Sequence, residues 1–197
     1  HIKENNAELA ALTQIVPIEA AQIQKMIPAQ SALIFYHQHP DFLFAWLVTP
    51  DAIRMHKLPV SAAQLATEVH ALRQILQRQL SPGDASRRLY EALFQPFADA
   101  LSCIRHLIIL PHGTLHYLPF ALLQNSQDGY LGFTHTLSFA PSASVLEHCL
   151  RQGETFMGRS PRDMAFLAIG NPDLGDEKLD LPFAGREVAS LKRYYPQ

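Results

Sequence analysis

The sequence has few charged residues and no concentration of either sign. It contains 16 Lys and Arg against 18 Asp and Glu, a formal net charge of −2 with His neutral. Charged residues make up 17 % of the chain, against about 25 % in an average soluble domain. The densest basic spot is the pair Arg87 and Arg88, and a protein that follows a phosphate backbone needs clustered cations. We therefore expect no nucleic-acid partner, and we expect other segments to cover part of the surface.

Long apolar runs are missing as well. No stretch approaches the roughly 20 apolar residues that a membrane helix requires. The first residue is His1, and no basic region leads an apolar one, so the pattern of a secretion signal is not found. We interpret the chain as a cytoplasmic protein without a membrane partner. The start without Met predicts a fragment of a longer protein.

Cysteine is scarce, since only Cys103 and Cys149 occur. Both lie in apolar stretches with helical spacing, and free cysteine is among the residue types most often buried. The pattern predicts two buried thiols. A disulfide or a reactive thiol remains the alternative, although nothing else in the sequence indicates an oxidising compartment.

The N-terminal part of the chain combines a helical lead-in with short strands. Residues 1–14 are polar and alanine-rich, as in the end of a helix, and Pro17 to Pro28 delimit a further helix. Three apolar or aromatic segments follow, and turn residues such as His39-Pro40-Asp41 separate them. This pattern predicts an antiparallel meander with strands at 32–37, 42–49 and 53–58.

Two helices are expected next. Apolar residues spaced by three and four between 62 and 76 form one helical face, and Ser61 is a suitable N-cap. A second helix is predicted from a cap at Asp84 to about residue 101. Pro96 falls inside it and should kink or split the helix at Gln95.

From residue 104 onward the pattern is that of an α/β protein. The wholly apolar run 107–110 is typical of a strand buried on both faces. Alternation over 133–139 predicts another strand, and the spacing of Ser144 and Glu147 predicts a capping box in front of a helix. A further buried strand is expected at 165–169, and a last helix begins near Gly185.

Four segments in this order resemble one known family, that of the CHAT domain. The most typical stretch, Leu107 to Leu123, reads LIILPHGTLHYLPFALL and resembles the family pattern LxIxPDGxLHxLPFxAL, with His112 in place of the usual Asp. The other three are LYEAL with Pro96, GYL followed by LSFAPSASVL, and GNP followed by LPFAGRE, at residues 89–96, 129–146 and 170–187. Together they extend over about residues 30–190.

The resemblance implies a caspase-like α/β fold, often preceded by TPR helical repeats, and a cysteine peptidase activity. In active members a His followed by Gly at a strand end is the base, and a Cys at the end of the next core strand is the nucleophile. The resemblance places both beyond the helix that begins near Gly185. No residue of this chain is therefore expected to be catalytic, and no cofactor is implied.

Other candidate sites have simpler structural interpretations. Ser142 and Ser144 occur where a helix needs a cap, and no nucleophile-elbow sequence surrounds them. His112 and His116 are four residues apart in a turn, so a metal site is a weaker interpretation than a structural, hydrogen-bonding one for His116. His37 and His39 flank Gln38 beside a turn and are expected to be exposed.

The turn at residues 111–115 and the segment 118–120 are the most distinctive features. Gly113 is expected to have a positive φ, and Pro119 and Phe120 are expected to form a rigid element of the core. A wall of a substrate cleft, or a surface for a missing half, is the alternative for this segment.

The sequence thus predicts an α/β fold. A meander and two helices lead into a mainly parallel, caspase-like sheet that is flanked by helices and truncated. Residues 1–28 are interpreted as a helical lead-in, and residues 29–197 as the N-terminal part of a CHAT domain. The predicted function is the non-catalytic scaffold of a cysteine endopeptidase, with the catalytic half and upstream repeats as protein partners. A stand-alone or pseudo-peptidase interaction module is the alternative.

Overall fold

A computed structural model describes residues 18–127, 129–157, 167–172, 175, 179–191 and 193. The chain divides into two compact units, residues 1–150 and 151–197. The predicted helix tail at residues 1–14 lies outside the described residues. No helix in the described ranges has the length and apolar character to cross a bilayer.

The first unit is built on one five-stranded sheet. Its strands are β1 Ser31–Gln38, β2 Leu43–Val48, β3 Ile53–Leu58, β4 His106–Leu110 and β5 Thr136–Phe139. Their order in the sheet is β3-β2-β1-β4-β5. The three strands of the predicted meander pair antiparallel, and β1 and β5 flank β4 in parallel. The predicted α/β class, with a meander that leads into parallel strands, is therefore confirmed.

Alternation along β1 separates two apolar cores. Ile34 and Tyr36 point to the larger core, which the helices and the segment 113–123 cover. Leu33 points to the opposite face and joins a smaller core with Ile27 and Ile108. Because successive side chains of a strand point to opposite faces, a one-residue shift in register would exchange the two cores.

Local sequence signals account for the helices around the larger core. The Oγ of Ser61 accepts a hydrogen bond from the N–H of Gln64 at 3.2 Å, so the predicted cap of the helix Ala62–Gln77 is confirmed. The second helix ends at Leu93, and a 3-10 turn containing Pro96 separates it from a short helix, as the proline predicts. The helices of this unit are α1 Ala20–Met26, α2 Ala62–Gln77, α3 Gly83–Leu93, α4 Ala98–Leu101, α5 Leu131–Thr134 and α6 Ala143–Phe156; the last extends into the second unit.

Three sequence predictions are wrong in detail. The alternating run from residue 133 is a strand only from Thr136, because Leu131–Thr134 form the short helix α5 and leave Phe133 exposed. The hydroxyl of Ser142, and not that of Ser144, accepts the N–H of Val145, so α6 begins earlier than predicted. Asp84 lies inside the first turn of α3 and does not cap it.

The second unit is described only in part. Of the predicted strand at 165–169, residues 165 and 166 lie outside the described residues. Residues 167–169 are not in a strand, and Leu167 and Ile169 are exposed. A buried strand needs hydrogen-bonding neighbours, and these three residues pair with no described strand. The last helix, α7, spans Pro182–Leu191 and begins before the predicted Gly185.

Tyr36 connects the sheet to the helical layer. Its side chain is fully buried, and its hydroxyl donates a hydrogen bond to the carbonyl oxygen of Leu93 at 3.2 Å. The rings of Phe94 and Phe120 pack on it with centroid distances of 6.3 Å each. Burial raises the pKa of Tyr36 well above its usual value, so the hydroxyl stays protonated as a donor.

We predict that Tyr36→Phe lowers the free energy of unfolding by about 1–2 kcal/mol, because the buried carbonyl of Leu93 loses its donor. Chemical denaturation of both proteins measures this difference. Tyr117→Phe is the matched control, since the Tyr117 side chain is 64 % exposed; it should leave the unfolding midpoint unchanged. Equal midpoints for Tyr36→Phe and the wild type would contradict the role of this hydrogen bond.

Candidate functional site

The most distinctive sequence segment lies at the carboxyl ends of two parallel strands, β1 and β4. In open α/β sheets, ligand sites form at this edge. β1 ends with His37 and Gln38, and β4 is followed by Pro111, His112 and Gly113. The strand pairing brings these two chain segments together, so the candidate site is this edge of the sheet.

Gln38 binds the turn after β4 through two hydrogen bonds. Its backbone N–H donates to Nδ1 of His112 at 3.1 Å, and its side-chain Oε1 accepts the N–H of Thr114 at 3.1 Å. The last paired residues of β1 and β4 are Phe35 and Leu110, so Gln38 lies beyond the end of the ladder. The imidazole of His112 therefore takes the place of a β4 carbonyl as the acceptor for this N–H.

Gly113 is the residue that allows this close approach. Its φ is +59°, which confirms the predicted positive φ. A Cβ at this position would overlap the Oε1 of Gln38. Any side chain at residue 113 would thus meet two obstacles, the left-handed backbone and the loss of the Gln38–Thr114 hydrogen bond.

The segment after the turn is part of the core. It forms 3-10 turns at Gly113–Tyr117 and Phe120–Leu122, and Leu115, Leu118 and Phe120 are buried. The hydroxyl of Ser86 in α3 donates to the carbonyl of Leu122. The predicted core element is confirmed.

The outer side of the same segment is polar and exposed. The Tyr117 ring is solvent-facing and lies 5.6 Å from the guanidinium of Arg73, which also donates to the Tyr117 carbonyl at 3.2 Å. Arg73 belongs to α2, so this pair attaches the exposed side of the segment to the helical layer. An exposed cation–π contact of this kind contributes about 0.5–1 kcal/mol.

Three histidines make the electrostatics of this edge unusual. The rings of His37 and His112 face each other with centroids 4.9 Å apart. Partial burial lowers the pKa of His112 from its usual value, and the nearby His37 and His116 lower it further. The neutral form is also the one that the Gln38 contact needs, because a protonated Nδ1 accepts no hydrogen bond.

The histidines do not form a metal site in the part of the chain that the structure describes. No group of three His, Cys, Asp or Glu side chains has a geometry suited to a metal ion there. His116 is exposed, and its side chain forms no hydrogen bond with a described residue, so the hydrogen-bonding role expected of it belongs to His112. His37 and His39 are exposed, as predicted, and the His39 ring stacks on Phe42 with centroids 4.1 Å apart.

Both cysteines are exposed, and the prediction that they are buried was wrong. Leu101, the last residue of α4, is buried in the core, whereas Cys103 lies two residues beyond it and is exposed. On α6, the residues that pack on the sheet are Ala143 and Leu146, and Cys149 lies beyond them. Neither thiol is in a disulfide, and within the described ranges neither forms a hydrogen bond with a histidine.

Sequence reasoning missed Gln38. Its side chain carries no signal of its own, because glutamine is an ordinary residue where a strand ends and a turn begins. Only the pairing of β1 with β4, which brings Gln38 to the turn 74 residues later, shows its role. The position of Gln38 between two histidines at a strand end was the one available hint.

Comparison with known proteins supports one family. A family model of the CHAT domain matches residues 83–197, more than half of the chain. No curated protein matches the chain. The matched region begins with α3 and includes β4, the turn at Gly113 and β5.

We predict that Gly113→Ala lowers the free energy of unfolding by about 1–3 kcal/mol, because a side chain at positive φ is strained and Gln38 must move. The measurement is denaturant unfolding, with Gly153→Ala as the matched control. Gly153 lies in α6 with open space around its Cβ position and no positive φ. This control should raise stability by up to about 1 kcal/mol. A loss of the same size in both variants would contradict a specific requirement for glycine beside Gln38.

A second prediction concerns pH. The folded-state pKa of His112 is lowered, so the unfolded chain binds its proton at a higher pH than the folded protein. The contribution of neutral His112 to the free energy of unfolding is therefore complete above the usual pKa of about 6.5. It is lost as the pH falls from there through the folded-state pKa. His112→Asn keeps an acceptor oxygen for Gln38 but does not titrate, so its stability should depend less on pH.

Thermal unfolding of both proteins from about pH 7.5 to about pH 5.5 measures this difference. His70→Asn, at an exposed position of α2, is the control and should keep the wild-type slope. A His112→Asn protein with the full wild-type pH dependence would show that this histidine does not determine it.

Proposed function

The chain belongs to the CHAT-domain family, and on that premise we propose that it forms the non-catalytic N-terminal part of a caspase-like cysteine endopeptidase. In this proposal the chain is a scaffold that presents a preformed sheet to the catalytic half. Upstream helical repeats are its second partner.

The proposal rests on the residues that follow the strands β4 and β5. The family's base is a His followed by Gly at a strand end, and its nucleophile is a Cys at the end of the next core strand. His112 and Gly113 follow β4, but the next strand, β5, is followed by Ala140, Pro141 and Ser142. The thiol that would complete a dyad is missing at this position.

His112 is also unsuited to be a base in its present contacts. A general base needs a free nitrogen within about 3 Å of the group that it deprotonates. Nδ1 of His112 already accepts the N–H of Gln38, and His112 occupies a position where the family usually has Asp. Its role is to hold the turn, and this supports a structural interpretation of the family's most typical segment.

The sheet offers a place for a catalytic half to attach. β5 is the last strand of the five, and Phe139 at its end is 56 % exposed. An edge strand presents unpaired N–H and C=O groups that a further strand can use. We propose that the sheet of the complete domain continues from β5, so that the scaffold and the catalytic half share one sheet.

A protein-interaction module without peptidase activity is the second candidate. The half-buried Phe44 and Trp46 on β2 and the exposed Met55 on β3 favour it, since interfaces are enriched in Trp, Phe and Met. Met55, for example, is 53 % exposed on β3. The two candidates differ in what must lie beyond residue 197: a His-Gly pair and a Cys at strand ends for the peptidase, and neither for the interaction module.

We predict that the purified chain cleaves no peptide. The test is a fluorogenic peptide pool assayed with the wild type, Cys103→Ala and Cys149→Ala, with an active cysteine peptidase as the positive control. Equal background signals in all three proteins are expected, because no thiol forms a hydrogen bond with a histidine in the described ranges. Cleavage that one Cys→Ala variant abolishes would overturn the proposal.

The coding sequence after residue 197 gives an independent test of the same proposal. A His-Gly pair and a Cys, each after an apolar strand-like run, are expected. Their absence would replace the peptidase scaffold with the interaction module.

A further inference from the structure

The edge strand β3 is exposed along almost its whole length. It lies at the opposite end of the sheet from β5, and within the described ranges it pairs with β2 alone. Five of its six residues are exposed, and only Leu58 is buried. Proline and bulges often interrupt an edge strand, but β3 contains no proline and its register with β2 is continuous. The strand is therefore an uninterrupted template for a further strand.

The pairing with β2 determines which backbone groups of β3 face outward. The N–H of Thr49 donates to the carbonyl of Ala52 at 2.9 Å, so these residues are a hydrogen-bonded pair that continues the register of the two strands. Hydrogen-bonded and non-hydrogen-bonded pairs alternate along an antiparallel ladder. Every second residue of β3 therefore has its N–H and C=O turned away from β2, with no hydrogen bond to a described residue. These residues are Ile53, Met55 and Lys57.

The side chains of β3 give this edge a positive charge. Arg54 and Lys57 are exposed, and neither forms an ion pair with a described residue. No Asp or Glu occurs from residue 52 to residue 67. The Nζ of Lys57 lies 4.0 Å from the centroid of the Phe42 ring, which leaves Arg54 as the more available cation. Such a surface is complementary to an acidic partner.

Apolar side chains of β3 are exposed on one face. Ile53 and Met55 are 43 % and 53 % exposed. Met55 pairs with Trp46 on β2, so both side chains lie on the same face. A groove of about 370 Å³ on this face has only uncharged side chains in its lining, among them Trp46 and Ile53. Charge alone would protect an edge strand from aggregation, but protection does not account for exposed apolar neighbours, which are typical of an interaction site.

We propose that β3 binds an extended acidic peptide segment of a partner protein, which adds to the sheet as a sixth strand. The backbone of the segment bonds to the outward N–H and C=O groups of β3. Its apolar side chains lie against Ile53 and Met55, beside the groove. Its acidic side chains lie on the other face, where they pair with Arg54. Main-chain bonds and alternate side-chain contacts are together the usual mode of strand addition.

A second copy of the chain fits this edge less well. β3 contains no acidic residue, so no register of two β3 strands gives Arg54 or Lys57 a counter-charge. In an antiparallel pairing with Ile53 opposite Met55, the two Arg54 side chains would lie directly opposite each other. Like charges in that arrangement are destabilising. The charge of the edge therefore favours an acidic segment over a second β3 strand.

The first experiment measures binding of two fluorescein-labelled peptides to the full chain by fluorescence anisotropy. In one peptide of about ten residues Glu and Val alternate, and in the other Lys replaces Glu. The Glu peptide should bind at least about tenfold more tightly than the Lys peptide, and added salt should weaken its binding. Trp46, the only tryptophan in the chain, should shift its emission to the blue when the Glu peptide binds.

Charge reversal at Arg54 tests the position of the site. Arg54→Glu should weaken binding of the Glu peptide about fivefold or more and should strengthen binding of the Lys peptide. Arg105→Glu is the matched control, because Arg105 is exposed just before β4, three strands away from β3. This variant makes the same change in net charge and should bind both peptides as the wild type does.

The second experiment tests whether the peptide adds as a strand. Only alternate N–H groups of an added strand face β3, so the Glu peptide is prepared with N-methyl groups on its Val residues alone or on its Glu residues alone. One of these two peptides should lose affinity about tenfold or more, because several hydrogen bonds are blocked. The other should bind as the parent peptide does. An antiparallel strand is sensitive to methylation at Val, and a parallel strand at Glu.

Four results would overturn the proposal. The first is no binding of the Glu peptide at about 1 mM. The second is equal binding of the Glu peptide by Arg54→Glu and Arg105→Glu, which would show that the charge of β3 is not recognised. Equal effects of the two methylation patterns would show that the peptide is not an added strand. Self-association of the wild type that Met55→Asp abolishes, without binding of either peptide, would identify a second copy of the chain as the occupant.

Discussion

The parallel pairing of β1 with β4 is the interaction on which the rest of the first unit depends. β1 is the central strand of the sheet, antiparallel to β2 on one side and parallel to β4 on the other. The two strands are separated by β2, β3 and the helices α2, α3 and α4, so the pairing closes a long loop at a high cost in chain entropy. Burial on both faces offsets that cost: Ile34, Tyr36 and Ile109 enter the larger core, and Leu33 and Ile108 enter the smaller one.

The same pairing explains the most distinctive segment of the sequence. β4 stops at Leu110, while β1 continues to Gln38, which leaves an unpaired N–H at the edge of the sheet. The imidazole of His112 accepts this N–H, and the side chain of Gln38 accepts the N–H of Thr114. A His-Gly sequence at a strand end resembles a catalytic element, but here its contacts are those of a turn that closes a strand. This difference is the physical basis of the proposed scaffold role.

Local signals in the sequence were sufficient for much of the fold. The strand Ile53–Leu58, the cap at Ser61 and the helix break at Pro96 each depend on residues within a few positions of one another. Features set by distant contacts were not readable in this way. Cys103 is exposed just past the end of α4, and Cys149 is exposed on α6 beyond the residues that pack on the sheet. The role of Gln38 depends on a residue 74 positions away.

The alternating run from residue 133 shows why pattern alone is insufficient. Its residues alternate as in a strand, but Leu131 occupies the core and starts a helical turn. Strand pairing with β4 therefore begins only at Thr136. The positive φ of Gly113 was predictable because a His-Gly turn after a buried strand restricts the backbone locally. That the side chain of Gln38 fills the space beside Gly113 was not predictable.

Native-state hydrogen exchange tests the central claim most directly, by measuring the amide protons of Gln38 and Thr114. If the turn is held as part of the sheet, both amides exchange through the same opening as the amides of β1 and β4, with comparable protection. Fast exchange of these two amides, at the rate of an exposed loop and well before the strands open, would contradict the account.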